Sequence, residues 1–168
     1  NYKMRKNIST VKISSNGNYI VVGSTDNRLS LLKNSTSSSM WNYTTQGIVH
    51  SVDISSNGNY IVAGSEDNKV YLFYKSSNDT LWDFQTGNEV QAVAISSDGE
   101  YIVAGSGGTW SSSTGYSTSK LYFFNKNSST PLWSYTTYAN FGDVAISSNG
   151  TYIAVGCKTN NMVYLFNK

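Results

Sequence analysis

The chain has one cysteine, one histidine, one proline and few charges, and each scarcity removes a class of function. A single thiol, Cys157, forbids an intrachain disulfide and a cysteine-based metal site. The lone histidine, His50, opens a strand-like run, and nothing ties it to a serine or an acid, so nucleophile–base catalysis has no visible constellation. Charged residues make up 13% of the 168, with 12 Lys and Arg against 10 Asp and Glu, and the densest basic stretch, Lys3–Lys6, holds three. That balance leaves no electrostatic footprint for nucleic acid. No stretch approaches the roughly 18–20 apolar residues of a membrane helix. Zinc spacings and the calcium-loop pattern are absent. Gly105-Ser-Gly-Gly108 has the look of a phosphate loop, but it joins two strands and precedes no helix, so the anion-cradling geometry is missing.

What the chain does have is Ser, Thr and Asn, which supply 62 of its residues, and aromatics at 14%, including 13 Tyr and 4 Trp. That is ample apolar and aromatic material for a packed core, so the chain reads as folded rather than disordered. It opens on Asn1 without an initiator Met and reads as a processed product or an excised segment.

Four copies of one phrase organise the sequence. Ser-Ser-Asn-Gly or Ser-Ser-Asp-Gly is followed by a Tyr-Ile pair and a second glycine, at Ser14–Gly23, Ser55–Gly64, Ser96–Gly105 and Ser147–Gly156. The first three copies are spaced by 41 residues and the fourth follows after 51. A fixed period of this size signals a repeat architecture. Gly17, Gly58, Gly99 and Gly150 follow Asn or Asp in a tight turn, where positive φ is cheap only for glycine. Gly23, Gly64, Gly105 and Gly156 fall inside a strand, which marks close approach of another backbone or a large ring.

Within the second unit, Val49–Ser55, Tyr60–Ser65, Lys69–Lys75 and Thr80–Thr86 read as four strands joined by tight turns. The third is apolar on both faces, as expected of a middle strand covered on both sides. No segment shows helical periodicity, and Pro131 sits at a strand start. Four antiparallel strands per ~40–45 residues is the size of one β-propeller blade. The fold expectation is therefore all-β: a single propeller or half-propeller domain over 1–168, with units near 1–41, 42–82, 83–133 and 134–168. Trp41, Trp82 and Trp133 recur at fixed phase with the tyrosines and read as inter-blade packing.

The array starts and stops mid-unit. Asn1-Tyr2 aligns with Asn42-Tyr43 of a fourth strand, and Lys168 aligns with Lys75 and Lys126 at the end of a third. Three arrangements satisfy this phase: closure by the chain's own first strand, a two-fold eight-bladed ring of two copies, or a longer propeller. Slim strands suit seven or eight blades better than four, where the wedge angle doubles.

The stretch Ile95-Ser-Ser-Asp-Gly-Glu-Tyr-Ile-Val-Ala-Gly-Ser106 resembles the core of WD repeats, with Asp26 and Asp67 at the aspartate of the next turn. The Trp-Asp dipeptide is missing, and His50 is not at the Gly-His position, so the WD hydrogen-bonded tetrad does not carry over. Gly64-Ser-Glu-Asp-Asn-Lys-Val-Tyr-Leu-Phe73 followed by Leu81-Trp82 is more similar to the quinoprotein-type (PQQ-like) repeat, in which a fourth-strand tryptophan docks between blades. The resemblance is to WD-like and PQQ-like propellers of prokaryotic surface proteins and covers the whole chain. It implies the fold and leaves function open. PQQ dehydrogenases hold quinone and calcium with acidic, Asn and Arg side chains, often beside a vicinal cysteine pair. One cysteine and two arginines, Arg5 and Arg28, make that a distant alternative, and no cofactor and no enzymatic activity are expected.

The third unit departs from the repeat by ten extra residues between its second and third strands, within Gly107–Ser119. On a propeller this loop shares a face with Tyr138–Gly142. Trp110, Tyr116, Tyr138 and Phe141 form the candidate recognition cluster, suited to anchoring a protein or stacking on sugar rings. Asn34, Asn78 and Asn127 lie in sequons on outer loops, although the total of six sequons is what composition alone predicts. Low charge and Ser/Thr/Asn enrichment fit an extracellular or cell-surface protein. The expectation is a binding scaffold for protein or carbohydrate, with a purely structural module of a layer, filament or symmetric assembly as the alternative.

Overall fold

The Ser-Ser-Asn/Asp-Gly phrase builds the same hairpin four times. In the first copy, the Ser14 hydroxyl donates to Asn16 Oδ1 and accepts the Tyr19 N–H, while the Gly17 N–H closes the turn on the Ser14 carbonyl with Gly17 at φ 69°. Ser55, Ser96 and Ser147 repeat the arrangement. The turn's polar groups are thus satisfied locally, which lets the serine be buried in the first three copies. In the computed structural model the described residues are 2–36, 38–107, 110–111, 115–116 and 118–168, with backbone alone described at 110–111 and 115–116.

The strands are β1 (Ile8–Ile13), β2 (Tyr19–Ser24), β3 (Arg28–Lys33), β4 (Ser39–Thr44), β5 (Val49–Ile54), β6 (Tyr60–Ser65), β7 (Lys69–Tyr74), β8 (Thr80–Gln85), β9 (Val90–Ile95), β10 (Tyr101–Ser106), β11 (Trp110–Ser111), β12 (Gly115–Tyr116), β13 (Ser119–Asn125), β14 (Trp133–Thr137), β15 (Phe141–Ile146), β16 (Tyr152–Cys157) and β17 (Val163–Asn167). They form three four-stranded blades, β1–β4, β5–β8 and β9-β10-β13-β14, and a three-stranded fourth, β15–β17. Every pairing is antiparallel between neighbours. The all-β propeller architecture read from the repeat is present. Blade boundaries fall in the loops before β5, β9 and β15, four to eight residues after the unit boundaries set from the tryptophans.

The blades stack face to face, and three apolar cores lie at the three junctions. At the first, Val21, Leu29 and Leu31 meet Val52, Ile61, Ala63 and Phe73. Each fourth-strand tryptophan leans on a phenylalanine of the next blade's third strand: Trp41 on Phe73 at 5.4 Å, Trp82 on Phe124 at 5.3 Å, Trp133 on Phe166 at 5.5 Å. The indole N–H of Trp41 and of Trp82 also donates to a carbonyl of the next blade, Lys75 at 2.9 Å and Lys126 at 2.8 Å. Two further columns cross each junction. Tyr19, Tyr60 and Tyr101 lie where a Cβ on Gly58, Gly99 and Gly150 would sit, 2.3, 2.5 and 2.3 Å away. Gly23 and Gly64 likewise leave room for Val49 and Val90, and Gly105 for Phe141. At Gly23 and Gly64 the next blade comes too close for a side chain, and at Gly105 it leaves little room for one.

Innermost strands contact one another in the order β1, β5, β9, β15, but β1 and β15 share no comparable contact among the described residues. The four blades form an open arc. Residues 2–7 carry no strand, and among the described residues β17 pairs only with β16. Among the described residues the first strand's segment does not pair with β17; Tyr2 lines a depression on blade one with Ile20 and Leu32.

Candidate functional site

The loops entering each blade share a face with the turns between second and third strands, and this face is tightly cross-braced. The Thr45 hydroxyl lies between the carbonyls of Asn27 and Gly47, and Thr86 repeats this with Asn68 and Asn88. Asp67 accepts from Gln46 N–H at 2.8 Å, Lys69 N–H at 3.2 Å and the Tyr71 hydroxyl at 2.7 Å. Burial, followed by this bond to a carboxylate, drives the Tyr71 pKa far above its ordinary value. Asp26 accepts from Ser24 in the equivalent turn. The aspartates matched to the WD pattern thus brace turns.

The ten-residue insertion lies between β10 and β13. Its backbone makes a small ribbon in which Trp110 pairs with Tyr116, and its base is tied down by the bond from Asn88 Nδ2 to the Thr118 carbonyl at 3.3 Å. The side chains of Trp110 and Tyr116 lie outside the described residues. Ser119 pairs with Thr137, which sets the stem of the insertion beside the Tyr138 loop, as the topology predicts. Tyr138 is 79% exposed and borders a shallow depression of ≈ 400 Å³ with Thr137, Ala139, Thr159 and Asn160.

Phe141 does not belong to this surface. It is 1% exposed, packed in the third junction core with its ring 3.1 Å from where a Gly105 Cβ would stand. The expectation that it is an exposed platform is corrected for a physical reason: it opens β15 as Val49 opens β5 and Val90 opens β9, and that position always fills the preceding blade's glycine notch. The signal was present in the sequence as the spacing of 41 from Val49 to Val90 and 51 to Phe141.

The remaining titratable groups are spread through the blades. His50 Nε2 is 3.9 Å from a Glu89 carboxylate oxygen and makes no hydrogen bond among the described residues. Asp53 accepts the Ile95 N–H across a junction at 2.9 Å. Burial pushes its carboxyl above the usual range and outweighs the Ile95 and Ile54 amides and Lys12, with Asp143 adding to the rise. Cys157 is buried, and burial raises its thiol pKa, which suppresses the reactive thiolate. Lys69 pairs with Asp83 at 2.7 Å, and Lys126 pairs with Glu100. No group of three His, Cys, Asp or Glu converges among the described residues. Lys12, Asp53, Ala94 and Ala145 occupy one level of the four innermost strands, and this mixture does not fit a quinone with its calcium ion. Asn34, Asn78 and Asn127 are exposed on the opposite face; the side-chain amides of Asn34 and Asn78 donate to the carbonyls of Gly17 and Asn42.

A family model described as outer membrane protein assembly factor BamB matches residues 5–164. The chain belongs to this family of PQQ-like β-propellers. The crystal structure of the computationally designed Ika4 protein is similar at a TM-score of 0.76 and 16% identity, over 98% of this chain and 93% of that one. At that identity the likeness speaks to fold alone. The architecture matches 1521 solved chains, so it does not by itself select a function. The chain has no significant match among curated protein sequences.

Proposed function

We propose that the chain is a non-catalytic propeller module that works outside the cytoplasm as a protein-binding scaffold. The observation that carries this reading is the contrast between the two kinds of group on the loop face. The acids, threonines and turn asparagines are consumed in cross-bracing, while Tyr138 stands 79% exposed beside an open depression. An exposed aromatic ring with Thr159 and Asn160 as polar neighbours is the composition of a recognition anchor. The stem of the insertion that carries Trp110 and Tyr116 is paired beside this loop, Ser119 with Thr137, which supports counting them with the same surface. The family's description as an outer-membrane assembly factor supports a role in contacting other proteins and a location at the cell envelope.

The test is photo-crosslinking from residue 138 in the native host. The reading expects a discrete heterologous adduct that disappears when Trp110 is replaced by Ala. Adducts confined to copies of this chain would refute it and favour the structural-module alternative.

A further inference from the structure

A second depression lies between blades two and three, and we infer that it binds one neutral sugar ring, free or at the end of a glycan. Its volume is ≈ 280 Å³, at the small end for a ligand pocket. It is lined by Tyr60, Tyr74, Leu81 and Trp82 of blade two and by Lys126 and Asn127 of blade three. Both blades that form it are complete. It lies on the face opposite Tyr138, so its test is independent of the proposed protein contact.

Three departures from the repeat converge on this junction. The residue paired with the strand tyrosine is Lys33, Asn125 or Asn167 in the other blades, and here it is Tyr74. The rings of Tyr60 and Tyr74 meet edge to face, with centroids 5.4 Å apart and planes at 69°. The second departure is Glu100. The residue after each third strand donates its N–H to the carbonyl of Asn18, Asn59 or Thr151 in the other blades and of Glu100 in blade three, where the carboxylate also pairs with Lys126. The third is Asn127, which stands where Ser35 and Ser76 follow the equivalent residues Asn34 and Lys75. Tyr60, Trp82 and Lys126 belong to the repeat, as Tyr19, Trp41 and Lys75 do, and blade packing accounts for them. Tyr74, Glu100 and Asn127 are not required by a fold whose other junctions do without them.

The lining selects the ligand by elimination. The Lys126 ammonium stands 4.9 Å from the centroid of the Tyr60 ring and is neutralised by Glu100. An anion therefore meets a charge already paired. A cation meets an ammonium in the place where the rings would have held it. A wholly apolar ligand strips water from Lys126 and Asn127 without replacing their hydrogen bonds. A pyranose has what remains: a C–H face for the rings of Tyr74 and Trp82 and for Leu81, and hydroxyls along its edge for the Asn127 amide and the Lys126 ammonium. Leu81 is 50% exposed and Asn127 is exposed, which leaves room for the remainder of a glycan.

The Trp82 indole N–H donates to the Lys126 carbonyl at 2.8 Å, so its nuclear magnetic resonance signal reports on this site, and Trp41 and Trp133 in the neighbouring junctions are internal controls. The isotope-labelled chain is titrated with glucose, galactose, mannose and N-acetylglucosamine, each as the free sugar and as its methyl glycoside. At least one is expected to move the Trp82 signal with a Kd of about 1–10 mM and to leave the Trp41 and Trp133 signals in place. Binding in both forms assigns the end of a glycan, and binding of free sugar alone assigns a soluble sugar. Tyr74→Asn introduces the residue type that blades three and four carry at this position, so it is expected to keep the circular dichroism spectrum and to weaken binding by about tenfold or more. Asn127→Ser changes an exposed side chain and is expected to weaken binding with an unchanged urea midpoint. No shift with any of these sugars, equal shifts at all three tryptophans, or unweakened binding by both variants would each overturn the inference. So would tighter binding of acetate, choline or phenol than of any sugar.

Discussion

Replacing Gly64 by Ala probes blade stacking with a built-in control. A methyl at Gly64 would stand 2.5 Å from Val90 Cγ1 and 3.0 Å from Val93 Cγ1. Both valines are buried and β-branched, so neither can swing aside without moving its strand. Overpacking of this kind costs about 1–3 kcal/mol. The loss of glycine's backbone freedom returns about 0.4–1 kcal/mol. The net expectation is a loss of about 1–2 kcal/mol, or roughly 3–8 °C in Tm for a domain of this size. Gly156→Ala is the same change at the same repeat position with open space around it, so the single chain is expected to gain up to about 1 kcal/mol. Urea denaturation followed by tryptophan fluorescence, at a dilution that keeps the chain monomeric, reads both. Equal effects at the two positions would refute the claim that the next blade is what demands glycine.

Tyr71→Phe removes the hydroxyl that donates to Asp67 at 2.7 Å, and a lost bond to a charged acceptor is expected to cost about 1.5–3 kcal/mol, read as a lower urea midpoint with unchanged slope. For Asp53 the folded-state pKa lies above the unfolded one, so its contribution to stability is complete below the ordinary carboxylate range and is lost as pH rises through the elevated value. Asp53→Asn keeps an acceptor for the Ile95 N–H and is expected to raise Tm at neutral pH and flatten the part of the Tm–pH profile above the ordinary carboxylate range; an unchanged profile would count against the burial effect. Tyr138→Ala should leave the unfolding free energy within about 0.5 kcal/mol of the unsubstituted chain, since the ring is exposed, while reducing partner crosslinking.

Much of the fold was legible because the blade repeats a local solution. The serine, the Asn-Gly turn and the strand glycine each have a cause that can be named from sequence, and the structure adds only which atom each one meets. Phe141 shows where local reading fails. Judged by its neighbours in a short polar loop it looks like a surface ring, and only its register with Val49 and Val90 places it in a notch. Tyr2 fails in the opposite way: its alignment with Tyr43 marks it as part of a fourth strand, but a strand needs a partner edge, and among the described residues β17 pairs only with β16. Tyr138 and the insertion were visible as departures from the period, whereas Asp67 as a brace for Gln46 required the loop geometry.

The account rests on blades packed radially through the tyrosine–glycine columns. Nuclear Overhauser contacts between each tyrosine ring and the turn glycine of the next repeat test this most directly. Cross-peaks from Tyr19 to Gly58, Tyr60 to Gly99 and Tyr101 to Gly150 are expected together. Tyrosine rings that contact only residues of their own repeat would contradict it.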